Sequence, residues 1–225
     1  MIMPPLKRRW RICATSALLA LAAGCSALHP AAVEQPAFYS LDGGRPATEK
    51  LKPAPAPSAV PIAAPTLIVN PPRAASGFSS QRIVYVRESH RLEYYAHSEW
   101  VDSPARMIAP LIVAAIGNSG AFRAAVLTPS AANGDLRLDT EIVRLQHDVS
   151  STPGRVRFTL RATMVDNTTR QVLARSEFDE SIAAPSEDPY GGVIAANRAV
   201  QVVIEQLLAF CSETAKRWQS HDAEK

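Results

Sequence analysis

The stretch at residues 155–164, RVRFTLRATM, alternates strictly between polar and apolar side chains. Its polar residues are Arg155, Arg157, Thr159, Arg161 and Thr163, and its apolar residues are Val156, Phe158, Leu160, Ala162 and Met164. Successive side chains of a β-strand point to opposite faces, so this period of two predicts a strand with one dry face and one wet face. Such a strand needs neighbours and a cover, and the flanking sequence supplies both.

The segments on either side of this stretch predict an antiparallel meander. Upstream, the turn Asn133-Gly134-Asp135 leads into residues 136–149, and Pro153-Gly154 forms the next turn. The apolar phase of residues 136–149 changes between Ile142 and Val143, which predicts a β-bulge. Downstream, the turn at residues 166–169, DNTT, leads into a returning strand at residues 172–182.

Two segments show the 3.6-residue apolar period of amphipathic helices. The first, residues 104–117, follows Asp102 or Ser103 as its N-cap and contains Pro110, which we expect to kink it. The second, residues 189–217, begins after Ser186 or Asp188. We therefore predict a single domain of the α+β class, in which an antiparallel β-sheet is covered on one face by two α-helices.

Shorter strands precede the first helix. Residues 66–69 form a β-prone run that Pro71-Pro72 ends, as expected of an edge strand. Residues 81–87 and 91–96 predict a hairpin that turns at Ser89-His90.

The N-terminus has the pattern of a secretory signal peptide. A basic head with four Lys or Arg residues precedes an apolar run at residues 14–23, which is too short to span a bilayer. Residues 21–25, LAAGC, resemble the lipobox of bacterial lipoproteins, which implies cleavage after residue 24 and attachment of a diacylglycerol and an N-acyl chain such as palmitate to Cys25. Removal of the four basic residues changes the net charge from +3 to −1, so the charge gives no support for a nucleic-acid partner.

A Pro/Ala-rich segment follows the predicted lipid site. We expect a signal peptide at 1–24, a lipidated N-terminus and tether at 25–65, a folded domain at 66–217 and a polar tail at 218–225. An extended tether would reach about 120 Å at about 3.1 Å per residue. An apolar island at 37–42 leaves an alternative open, in which a short strand docks on the domain and residues 43–65 form a loop.

Motifs for catalysis or metal binding are not found in the sequence. The five histidines, at positions 29, 90, 97, 147 and 221, lack metal-ligand spacing, and no cofactor is expected beyond the acyl chains. Cys211 is the only cysteine left beyond Cys25 after cleavage, and its apolar surroundings favour a buried core side chain.

Two groups of side chains are candidates for contact with a partner or with lipid. Tyr94, Tyr95 and Trp100 form the densest aromatic group, which either belongs to the core or contacts a partner or acyl chains. Arg155, Arg157 and Arg161 share the wet face of one strand, which is either a solvated face or an electropositive surface for a partner or anionic headgroups.

The order of these features resembles the ABC-type transport auxiliary lipoprotein family. The lipobox is followed by residues 38–41, FYSL, by residues 92–96, LEYYA, by Trp100 and Pro104, and then by a helix, a meander and a closing helix. The likeness extends over residues 37–217. Members of this family accompany mammalian-cell-entry (MCE) lipid transport systems.

This resemblance implies a non-catalytic lipoprotein, anchored to the outer membrane of a Gram-negative bacterium and facing the periplasm. Its partners would be an MCE-domain protein and the permease and ATPase of an ABC transporter, with a homo-oligomer as a further expectation. The cargo would be a phospholipid or another hydrophobic molecule. Two alternatives stay open: a structural envelope lipoprotein, such as a pilotin or an outer-membrane assembly factor, and an envelope hydrolase.

Overall fold

The computed structural model describes residues 35–43 and 64–222. Within those ranges the chain forms nine strands and two helices. The strands are β1 Ala37–Tyr39, β2 Thr66–Val69, β3 Arg73–Ala74, β4 Arg82–Val86, β5 Glu93–Trp100, β6 Ala124–Leu127, β7 Leu136–Asp148, β8 Arg155–Asp166 and β9 Val172–Ala183. The helices are α1 Pro104–Gly117 and α2 Pro189–Asp222.

The predicted meander is confirmed. Strands β7, β8 and β9 are antiparallel neighbours, and their core-facing side chains include the five apolar residues predicted for β8. The predicted bulge lies at Val143, because Ile142 pairs with Leu160 while Arg144 pairs with Thr159. The extra residue reverses the alternation, so that Ile142 and Leu145 face the same core although they are three residues apart.

The other edge of β7 pairs with three short strands in succession. From the start of β7 to its end these are β2, β3 and β4, and all three are parallel to it. Strand β2 also pairs in parallel with β6. The prediction of an antiparallel sheet is therefore wrong for this half, because long connections that include α1 separate these strands from β7 and allow a parallel crossover.

The predicted hairpin of β4 and β5 is confirmed, and β1 extends the sheet beyond it. Strand β5 continues to Trp100, past the predicted end at residue 96, and its pairing with β4 is irregular. Strand β1 pairs in parallel with the end of β5, where Tyr39 lies opposite Trp100. Residues 37–39 are thus part of the folded domain.

The two helices cover the apolar face of this sheet, as predicted. Helix α1 begins after Ser103, with Pro104 as its first residue, and continues through Pro110 to Gly117. In α2, the Oδ1 atom of Asp188 accepts a hydrogen bond of 2.6 Å from the amide of Gly191, so Asp188 caps the helix. The helix runs to Asp222, five residues beyond the predicted end, so the predicted polar tail is helical over most of its length.

Helix α2 is long and apolar enough to cross a membrane by length and composition alone. Its apolar stripe packs instead on β7, β8 and β9 and joins the same hydrophobic core as Ile108, Ile112 and Ile116 of α1. Cys211 lies in this stripe and is fully buried, as predicted. Burial raises the pKa of its thiol to about 12, so the sulfur stays protonated.

Candidate functional site

A buried asparagine fastens the N-terminal segment of the domain to α2. The Oδ1 atom of Asn197 accepts hydrogen bonds from the backbone amides of Asp42 and Gly43, at 2.8 and 3.2 Å. Its Nδ2 atom donates to the carbonyl oxygens of Ser40 and Val193, at 3.0 and 3.1 Å. All four hydrogen-bonding positions of the carboxamide are thereby used. We call this arrangement the Asn197 latch.

Packing on both sides of the latch holds the same segment. Leu41 is buried in the core, and the carbonyl oxygen of Tyr39 accepts a hydrogen bond of 2.8 Å from the amide of Val101. The ring of Tyr39 also lies beside that of Tyr190, with centroids 6.3 Å apart. The segment from Ala37 to Gly43 is therefore a built part of the fold, which corresponds to the docked-strand alternative of the sequence analysis.

Asn197 is not among the site residues predicted from the sequence. The available signal was an asparagine in the apolar stripe of a helix, between Ala196 and Val200. A polar side chain at a buried position needs hydrogen-bonding partners, and here the backbone of a distant segment supplies most of them.

The structure separates the three candidate aromatic residues. Trp100 is buried in the core, where it cannot contact a partner at the surface. Tyr95 is half-buried, and its hydroxyl shares a hydrogen bond of 2.9 Å with Nδ1 of His147. Tyr94 alone is exposed, and the guanidinium of Arg82 lies 5.0 Å from the centre of its ring. A contact role at the surface therefore stays a prediction chiefly for Tyr94.

His147 lies near the end of β7, and its side chain is buried against the beginning of α2. A Cβ atom on Gly192 would lie 2.7 Å from Nδ1 of this histidine, and one on Gly154 would lie 2.8 Å from Nε2, so glycine is required at both positions. Burial lowers the pKa of His147, and the charge of Glu187 opposes that shift. Burial therefore favours the neutral form of the ring, which packs against both glycines.

The side chain of His147 lines a small cavity beside the core. The cavity has a volume of about 10 Å³ and is lined also by Ile83, Trp100, Leu145 and Val156. That is room for about one water molecule and too little for a substrate or a lipid. Among residues 35–43 and 64–222, no group of three or more His, Cys, Asp or Glu side chains is placed to hold a metal ion.

The candidate arginines lie on the helix-free face of the sheet, and each is engaged by a neighbouring strand. Arg157 forms two hydrogen bonds of 2.9 and 2.6 Å with the two carboxylate oxygens of Asp179. Arg161 bridges Glu141 and Glu177, at 3.0 and 2.9 Å. The guanidinium of Arg155 donates to the hydroxyl and carbonyl oxygens of Ser181.

These cross-strand contacts balance the charge of the face. The carboxylates of β7 and β9 neutralise Arg157 and Arg161, so the arginines do not stand as an unopposed positive surface. The Arg157 guanidinium, followed by the hydroxyl of Thr159, lowers the pKa of Asp179 to about 2. This geometry favours the interpretation of a solvated sheet face. Cys25, the remaining candidate residue, lies outside the described residues.

The described part of the chain is an α+β domain whose N-terminal strand pairs with β5 and whose next residues, 40–43, are held on the closing helix by Asn197. The chain belongs to the family of the ABC-type transport auxiliary lipoprotein component, whose family model matches residues 50–207. The resemblance inferred from the sequence is thereby confirmed.

Two solved structures have the same fold. Protein XCC0632 from Xanthomonas campestris is 21% identical and has a TM-score of 0.65, with 75% of this chain and 93% of that chain covered. A crystal structure of an uncharacterized protein is 10% identical and has a TM-score of 0.59, with 79% and 99% covered. No curated protein matches the sequence.

We predict that Asn197→Ala loosens the backbone of residues 40–43, while β1 and Leu41 stay docked. The substitution removes the three hydrogen bonds to that segment and costs about 1–3 kcal/mol, because the backbone groups lose buried partners. Hydrogen exchange measured at the amides of Asp42 and Gly43 should accelerate strongly. Gln201→Ala, four residues further along the same helix, is the control and should leave both amides protected. Unchanged protection in Asn197→Ala would show that the latch does not hold the segment.

We predict that Arg157→Gln raises the pKa of Asp179 from about 2 toward its ordinary value of 3.8. The folded-state pKa lies below the ordinary value, so the ionised carboxylate stabilises the fold above pH 3.8, and this contribution is lost as the pH falls toward 2. NMR titration of the Asp179 carboxyl carbon measures the shift. In Arg155→Gln, which leaves the Arg157–Asp179 pair intact, the titration should match that of the native protein. If Asp179 titrates at the same pH in Arg157→Gln as in the native protein, Arg157 is not the cause of its lowered pKa.

Proposed function

We propose that this protein is a non-catalytic accessory subunit of an ABC-type system that moves phospholipids or other hydrophobic molecules across the bacterial envelope. The family match over residues 50–207 carries the proposal, because that family is described as an auxiliary lipoprotein component of ABC-type transport. The partners are an MCE-domain protein and the transporter's permease and ATPase. The protein acts at the periplasmic face of the outer membrane.

The anchor in this proposal is Cys25, carrying a diacylglycerol and an N-acyl chain. One acyl chain binds a bilayer only marginally, whereas two or more hold a protein stably. Ser26 follows the lipidated residue and is compatible with sorting to the outer membrane. The lipid fixes one end of the tether, and the pairing of β1 with β5 fixes the other end to the domain.

Docking of β1 shortens the tether from the length that the Pro/Ala-rich segment would allow. Only residues 26–36 separate Cys25 from Ala37, the first residue of β1. Eleven residues span at most about 40 Å when fully extended, against about 120 Å for a tether that ran to residue 65. The domain therefore works close to the leaflet that holds its acyl chains, and a partner must come to it there.

Purification of the full-length, acylated protein from its native membranes tests the partnership. A C-terminal affinity tag follows the described end of α2 and is distant from Cys25 in sequence. Reversible cross-linking before mild detergent extraction should bring down an MCE-domain protein together with ABC permease or ATPase subunits. Recovery of a secretin or an outer-membrane assembly complex, with the tagged protein intact, would contradict the proposal and favour a structural envelope lipoprotein.

The anchor is tested separately with Cys25→Ser. We predict that this variant stays uncleaved by the lipoprotein signal peptidase and carries no acyl chains, because hydroxyl oxygen does not replace the acceptor sulfur. Intact-mass measurement of the native protein should show a mature chain that begins at Cys25 with added diacylglycerol and acyl mass. An unmodified mature chain in both proteins would refute lipidation at this residue.

A further inference from the structure

Most of the exposed large apolar side chains in the described part of the chain lie around β1. Phe38, in β1, is 58% exposed, and Val101, whose amide binds the carbonyl oxygen of Tyr39, is 49% exposed. Tyr190, whose ring lies beside that of Tyr39, is 58% exposed. Ile194, one helical turn further along α2, is 42% exposed. We call Phe38, Val101, Tyr190 and Ile194 the β1 patch.

The exposed face of α2 changes from apolar to charged residues along the helix. Tyr190 and Ile194 are followed on the same stripe by Arg198 and Glu205, so the apolar exposure is confined to the first two turns. Tyr190 and Ile194 are not part of the core. The buried stripe of α2 at this level consists of Val193, Ala196 and Val200.

Tyr39 and Trp100 face the helix side of the sheet, so Phe38 and Val101, each one residue away, face the helix-free side, whereas Tyr190 lies on the helix side beside Tyr39. The β1 patch therefore flanks the β1 edge of the sheet on both faces.

The β1 patch lies where the chain leaves the domain toward Cys25. Residues 26–36 limit the distance between Cys25 and Ala37, the first residue of β1, to about 40 Å. Tyrosine and phenylalanine at such a place have the chemistry of a membrane interface, where an aromatic body enters the apolar boundary and a polar group stays wet. Arg198, next on the stripe, is an exposed cation that suits a headgroup phosphate.

We propose that the β1 patch contacts the leaflet that holds the acyl chains of Cys25, with the β1 edge of the sheet facing the headgroups. The inference rests on the proposed lipid anchor and adds an orientation to it. The membrane thus receives two contacts from this protein, one covalent and one from the folded surface. The second contact prevents the domain from turning freely about its tether.

Fluorescent labels at two exposed positions test this orientation in the acylated full-length protein. Ile194→Cys places a label in the β1 patch. Val172→Cys, at a position 48% exposed, places one near the far end of α2, where Trp218 contacts Asp166. These positions are separated by most of the length of α2, about 40 Å at 1.5 Å per residue. Cys211 does not interfere, because it is buried and its thiol is protonated.

The labelled proteins are reconstituted into vesicles of phosphatidylethanolamine and phosphatidylglycerol that contain a headgroup-level spin-labelled phospholipid. We expect the label at 194 to be quenched several-fold more strongly than the label at 172. Equal, weak quenching at both positions, with the protein floating with the vesicles, would overturn the patch proposal and leave the anchor standing. Protein that does not float with the vesicles would overturn both.

A second pair of variants tests whether the side chains of the β1 patch bind the membrane or only lie close to it. Tyr190→Ser in the protein labelled at 194 should reduce the quenching toward the level at 172, while Leu92→Ser, at an exposed apolar residue of the β4–β5 hairpin, should not. A different result would show that the proposal is wrong and that the patch binds the MCE-domain protein. In that case the spin-labelled lipid does not quench the label at 194, and the label becomes shielded from an aqueous quencher only when the MCE-domain protein is added.

Discussion

The pairing of β7 on both of its edges is the constraint on which the rest of the structure depends. One edge carries β8 and, through it, β9, and the other carries β2, β3 and β4 in succession. The bulge at Val143 keeps Leu138, Ile142 and Leu145 on one face in spite of the strand's length. Helices α1 and α2 cover this continuous apolar face. Because α2 packs on it, Asn197 is buried where its side chain binds the N-terminal segment.

The local part of this architecture could be predicted from the sequence. Period-two alternation in β8, the turns that flank it and the helical stripes are each encoded within about ten to thirty residues, and the meander follows from them. The parallel pairing of β2, β3 and β4 with β7 could not be predicted, because no turn links those strands and only tertiary packing selects their order. Helix α2 extends past its predicted end for a similar reason, because the ring nitrogen of Trp218 donates a hydrogen bond to Asp166, a contact between distant residues.

For the candidate site residues too, the sequence predicts what depends on neighbouring residues and does not predict what depends on tertiary contacts. Tyr94 and Tyr95 are adjacent in sequence, but successive residues of a strand face opposite sides, so one is exposed while the other reaches His147. The arginines of β8 were correctly placed on the wet face, but the acids that neutralise them come from β7 and β9 and depend on register. Asn197 shows in the sequence only as a polar residue in an apolar stripe, and three of its four hydrogen-bonding partners lie more than 150 residues away.

The docking of β1 gives the proposed accessory role a physical scale, because it makes the membrane-side tether eleven residues long instead of about forty. Neutron reflectometry of the acylated protein on a supported bilayer measures the consequence directly, as the thickness of solvent between the headgroups and the protein layer. An eleven-residue tether predicts a solvent layer no thicker than about 40 Å. A solvent layer wider than the roughly 40 Å that eleven extended residues can span would contradict it.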